Sequence, residues 1–139
     1  MGWLDFTHSI TFANAVRVQC ERHLDLWGKG LLQMACFVGR NAGYVDRDVR
    51  EEQWRVEAPK AFLESVLEGL FDHGKIEHIV ATHYLKTASA AYGEVVNAPN
   101  APWVPTLAAA LNRLIRSPLK RRHAERSARQ ALSIVASEG

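Results

Sequence analysis

Cysteine is scarce in this chain. Cys20 and Cys36 are the only two among 139 residues, and no Cys-x-x-Cys pair exists to suggest a dithiol redox centre or a zinc ribbon. Both fall in apolar stretches, where a free thiol behaves as a small hydrophobe. Long apolar runs are missing too: none reaches the roughly 18 residues needed to cross a bilayer. At the N-terminus no basic region leads into an apolar run, so no secretory signal is read. Phe6 stands where a myristoylation pattern wants Ser or Thr. A cytoplasmic protein without membrane attachment is the expectation. Also absent are a glycine-rich phosphate loop, a nucleophile elbow, and the His-Glu-x-x-His or duplicated Glu-x-x-His spacings of zinc and dinuclear iron sites. No familiar self-contained catalytic motif remains.

The chain carries 47% hydrophobic and 23% charged residues with a net charge of +2. That balance excludes intrinsic disorder and a polyelectrolyte built for nucleic acid. At this length folding removes about two-thirds of the unfolded surface, enough for a core without disulfides or structural metal. The patterning is helical throughout and no strand signal competes with it. The expected architecture is all-α, a bundle of about five to six helices in a single domain spanning residues 1–139.

A first helix is read over Leu4 to His23, with Phe6, Ile10 and Ala13 on one apolar stripe and Phe12, Val16 and Cys20 on a second. Gly28 and Gly30 are expected to break the chain, with Trp27 anchoring the turn. Leu31 to Val38 is apolar nearly all round, the mark of a central helix enclosed by others. Asn41-Ala42-Gly43 ends it, and Tyr44 to Glu57, dense in acids and arginines, reads as an exposed connection tacked down by Trp54 and Val56. Pro59 opens a third helix, whose apolar face runs through Phe62, Leu63, Val66, Leu67, Leu70 and Phe71 to a stop at Gly74. A fourth helix from about Glu77 to Val95 is rich in alanine, with Lys86 as its notable charge. Asn97 to Pro105 reads as a loop because of its three prolines. Two helices follow, one from Thr106 to Arg116 and one opening at Ser117-Pro118.

Polar residues on packed helices are the candidates for chemistry. On the fourth helix His83, Lys86 and Thr87 project from one face at spacings of three and four. A buried lysine must reach water or a partner, and pairing or desolvation can tune it as a base. On the first helix Asn14, Arg17 and Glu21 share a face; Arg17 and Glu21 suit an i, i+4 ion pair, and Asn14 suits a bond between helices. If the first and fourth helices touch, His8 and His83 can meet in a polar pocket. The candidate catalytic residues are therefore His83, Lys86 and His8, and the candidate ligand-binding residues Asn14, Arg17 and Thr87. His78 and His83, five apart, lie about 140° from each other around a helix and do not chelate one ion; no metal site is expected, and no cofactor is specified.

Arg113, Arg116, Lys120, Arg121, Arg122, His123, Arg126 and Arg129 make the C-terminal part basic. Base-stacking aromatics are not interleaved with them, which weighs against nucleic acid. Leu119, Ala128, Leu132 and Val135 would give the last helix an apolar side, leaving the basic run as its solvated face.

The segments Thr7-His8-Ser9-Ile10-Thr11-Phe12-Ala13-Asn14-Ala15-Val16-Arg17 and Thr82-His83-Tyr84-Leu85-Lys86-Thr87-Ala88 resemble the questin-oxidase-like helical family. They are also similar to the helical region that accompanies a Rieske iron–sulfur domain in some bacterial proteins. The resemblance covers two short motifs and carries over no residue roles. It implies an oxidative activity, or a helical module serving a redox partner, in a small stand-alone member or a C-terminal piece of something larger. The Rieske pairing of Cys and His two residues apart is missing, so electrons would come from another domain or protein. Two functional expectations result. One is a small-ligand-binding or oxidoreductase-related domain with a His/Lys pocket. The other is a non-enzymatic interaction or oligomerisation module that uses its apolar faces or its basic C-terminal helix.

Overall fold

The computed structural model describes residues 3–45, 47–72, 78–116, 128–129, 131–133 and 135–136. Among them there is no strand. The described residues include five α-helices of eleven or more residues: α1 (Trp3–Arg22), α2 (Trp27–Asn41), α3 (Pro59–Gly69), α4 (His78–Asn97) and α5 (Val104–Arg116). The chain is a small all-α bundle, and no described helix is long and apolar enough to cross a membrane.

The centre of the bundle is α4. It packs against α1, α3 and α5, and Val80, Tyr84, Ala88, Ala90, Ala91 and Val95 are buried along it. Alanine explains the position: side chains this small let three neighbouring helices approach one axis, and alanine is also the best helix former. Leu63 of α3 and Val104 and Leu111 of α5 close the core against Ala88, Ala91 and Val95. Ile10 of α1 and Phe62, Val66, Leu67 and Leu70 pack around that cluster.

The expected centre was α2, and that is corrected. Among the described α-helices it packs on α1 alone, and its only buried residue is Asn41. A nearly all-apolar circumference says that a helix can be covered on several sides, not that its own chain supplies the cover. The break before α2 also moves. His23 leaves the helical region at φ −134°, ψ 84°, a 3-10 turn follows over Leu24–Leu26, and Gly28 and Gly30 lie inside α2. Gly30 is there for close approach rather than for a turn. A Cβ at that position would come within 2.8 Å of both Cys20 Sγ and Val16 Cγ1, so its absence lets α2 lie down on α1. Phe12 and Phe37 close the same contact, their ring centroids 5.4 Å apart.

Other boundaries shift for local reasons. The apolar face of α3 ends at Leu70; Phe71, expected inside, is 98% exposed in a 3-10 turn over Leu70–Asp72. Gly74 lies outside the described residues. Helix α5 starts at Val104, so Pro105 sits in its first turn, where a missing N–H removes no intrahelical bond. The charged connection is exposed as expected, with a 3-10 turn over Glu51–Trp54. It is pinned to α5 twice: Asn112 Nδ2 donates to Trp54 O at 3.0 Å and Thr106 Oγ1 to Glu51 Oε1 at 2.9 Å. The expected start of a last helix at Ser117-Pro118 and the basic residues Lys120 to Arg126 lie outside the described residues. The described residues from 128 to 136 are helical, and Ala128, Arg129, Leu132 and Val135 are exposed.

Candidate functional site

Polar residues line the seam between α1 and α4. The helices run in the same direction, because His8 meets His83 near one end and Asn14 and Arg17 meet Glu94 near the other. On α4 the facing stripe is His83, Thr87, Ala90 and Glu94, spaced by four, three and four, a single face of a 3.6-residue helix. From α1, His8, Asn14 and Arg17 reach it. The adjacency that the His8–His83 expectation required is present.

At the first end the imidazoles of His8 and His83 meet edge to face, with centroids 5.4 Å apart and planes at 62°. His83 is buried. Its Nδ1 lies 2.7 Å from the carbonyl of Ile79, one turn back. A carbonyl only accepts, so Nδ1 carries the proton, and a neutral His83 presents the lone pair on Nε2. One turn on, Thr87 is fully buried and its Oγ1 has no hydrogen-bond partner among the described residues. Lys86 is half-buried beside this pair. Among the described residues no group of three or more His, Cys, Asp or Glu is placed to hold a metal ion.

At the second end Glu94 is the organising residue. One carboxylate oxygen accepts from Asn14 Nδ2 at 2.8 Å, and Arg17 Nε spans both oxygens at 2.8 and 2.9 Å. Arg17 NH1 reaches both oxygens of Glu21 at 2.8 and 2.7 Å, the expected i, i+4 pair. Hydrogen bonding to Glu21, reinforced by Glu94, raises the Arg17 pKa above its ordinary range, against a smaller opposing effect of burial. The polar groups of Asn14 and Arg17, expected to bind a ligand, are thus engaged by protein carboxylates. Glu94 is absent from the sequence expectation, which treated α4 as almost uncharged. The available signal was its position three turns beyond His83 on the same face.

A separate apolar groove of about 280 Å³ lies between α1 and α2. Phe12, Val16, Cys20, Leu26 and Gly30 form its walls, and Lys29 stands at its edge. Beyond the groove the outer surface of α2 is open. Leu31, Leu32 and Val38 are 59%, 64% and 58% exposed, and Leu24 just before the helix is 73% exposed. Ala35, Cys36, Gly39 and Ala42 are exposed between them. The polar residues Lys29, Gln33 and Arg40 sit together on one flank, leaving the remaining outer arc apolar or small. No family model, curated protein or solved structure matches this chain.

Proposed function

We propose that the chain is a helical protein-interaction module whose working surface is the outer face of α2. One observation carries this reading: a helix packed on a single neighbour presents an uncharged apolar arc to solvent. Complete burial of a leucine or valine side chain contributes about 1.5–3 kcal/mol. Leu24, Leu31, Leu32 and Val38 are each more than half exposed, so on the order of 4–8 kcal/mol of hydrophobic stabilisation is unrealised until something covers them. Contiguous apolar patches of this kind on soluble proteins mark binding surfaces.

The test separates a docking face from a core face. Leu31→Asp with Leu32→Asp should leave the helical circular dichroism and the unfolding midpoint almost unchanged, since exposed substitutions shift stability by about 0.5 kcal/mol or less. Wild-type protein should bind an apolar fluorescent dye, and the same variant should lose that binding. Destabilisation by several kcal/mol would mean that the face is packed within the chain, and the reading would fail.

A second reading is supported by the His8–His83 contact. A pocket there takes a small organic ligand or takes part in an oxidative reaction, with His8, His83 and Lys86 as the reacting groups, Thr87 beside them, and Asn14 and Arg17 farther along the seam at Glu94. A protein redox partner would supply electrons, as the questin-oxidase-like resemblance implies. Mass spectrometry and elemental analysis of purified protein should then find a stoichiometric small molecule or metal. If His83→Ala and Lys86→Ala leave its retention untouched, this reading fails.

A further inference from the structure

Resting on the interaction-module reading, we infer that the partner of α2 is a second copy of the same chain, bound with the two α2 helices antiparallel about a two-fold axis at Ala35. The residues of the exposed arc are self-complementary in size. Gly28, Ala35 and Ala42 recur every seven residues and form the central line of the arc. Small residues on that line let two helix backbones approach to the short end of the usual 8–10 Å separation. Leu31 and Val38 border the line on one side, Leu32 and Gly39 on the other. In an antiparallel pair centred on Ala35, residues equally far from the axis fall at the same level. The two-fold axis keeps each border on its own side in both copies, so Leu32 meets Gly39 of the other copy and Leu31 meets its Val38. Gly28 faces its Ala42, and Ala35 faces itself. The exposed leucine next to the axis meets the exposed glycine, which leaves it room. An isologous interface requires this kind of self-complementarity.

Charge and area agree with that occupant. Lys29 and Arg40, the only charges on α2, lie on one flank away from the central line, so no charge is buried. Fifteen residues rise about 22 Å, and half the surface of a helix that long is on the order of 450 Å². Two copies bury roughly 900 Å², below the roughly 1,200–2,000 Å² of stable specific interfaces and in the range of weak, transient ones, so the dimer is weak and forms with rising concentration. Both flanking cations come to the same side in each copy, so screening by salt strengthens the association.

Sedimentation over a concentration series, at low and high salt, reads the assembly. The expected result is a monomer–dimer equilibrium that tightens with salt. Gly39→Leu fills the space meant for Leu32 and should weaken the dimer at least tenfold. The monomer accepts it, because a Cβ at Gly39 meets nothing within 4 Å. In a Cys36→Ser background, Ala35→Cys should cross-link to its own counterpart under mild oxidation, since a disulfide spans Cα separations of about 4.4–6.8 Å. A monomer at every concentration, or a dimer that neither cross-links at Ala35→Cys nor responds to Gly39→Leu, overturns the inference. The reactivity of Ala35→Cys with a thiol reagent in dilute monomer then identifies what failed. Rapid labelling means an open face with a different partner, so only the second copy is wrong. Protection means the chain covers its own α2, and the interaction-module reading falls with it.

Discussion

Removing the Glu94 carboxylate gives the clearest measure of what holds α1 to α4. Its side chain is 16% exposed and that of Arg17 20% exposed, so the pair is only partly screened by water. Glu94→Ala abolishes one bond from Asn14 and a two-oxygen contact from Arg17 Nε. Hydrogen bonds to charged groups contribute about 1.5–3 kcal/mol each, and a donor left unpaired out of water adds to the loss. Glu21 still neutralises the Arg17 guanidinium through NH1, which limits the damage. The expected loss is about 2–4 kcal/mol. At roughly 2–4 °C per kcal/mol for a chain of this size, the unfolding midpoint falls by about 4–16 °C. Glu21→Ala is the internal control. That carboxylate is 48% exposed and forms an i, i+4 pair, a class worth about 0.3–0.5 kcal/mol. Urea unfolding of the two variants side by side decides the matter. If Glu94→Ala costs no more than Glu21→Ala, the seam is held by apolar packing alone and the role assigned to Glu94 is wrong.

Three further predictions test other parts of the bundle. Gly30→Ala should destabilise by about 1–3 kcal/mol, because its Cβ would overlap Cys20 and Val16; an unchanged unfolding curve would show that α2 is free to shift on α1. Thr87→Val should be neutral or mildly stabilising in thermal unfolding, since the buried Oγ1 has no partner among the described residues. A loss above roughly 1 kcal/mol would show that Oγ1 is hydrogen-bonded in the folded protein. Burial raises the Tyr84 pKa above its ordinary 10.0, and its hydroxyl donates to Leu114 O at 3.3 Å. The unfolded tyrosine ionises first, so this contribution to stability is complete below pH 10.0 and is lost as pH rises through the folded value. Tyr84→Phe should make unfolding less sensitive to alkali above that pH; an identical pH profile in both proteins would contradict the assignment.

Local signals in the sequence carried much of the fold. Pro59 fixed the start of α3, Asn41 the end of α2, and the alanine-rich run from Ala81 to Ala91 the existence of α4. These are short-range effects of φ restriction, capping and helix propensity, which a linear pattern records directly. The glycines were misread for an equally physical reason. Glycine marks either a turn or a close approach, and only the position of Cys20 and Val16 shows that Gly30 is the second.

The candidate site was half legible. The i, i+3 and i+4 spacing placed His83 with Thr87 and Arg17 with Glu21 because those relations lie within one helix. That His8 meets His83, and that Glu94 takes the donors of Asn14 and Arg17, are relations between residues about 75–80 positions apart. The sequence by itself determined that there would be helices, nearly where they would lie, and that the middle of α2, Leu31 to Val38, would be apolar nearly all round. Only the tertiary structure decided which helix is enclosed. Periodicity measures how much of a helix surface prefers to leave water, whereas the choice of neighbour depends on volume. The small side chains of α4 let three helices close around it, and the largely apolar α2 was left with one face on α1 and an exposed apolar arc opposite.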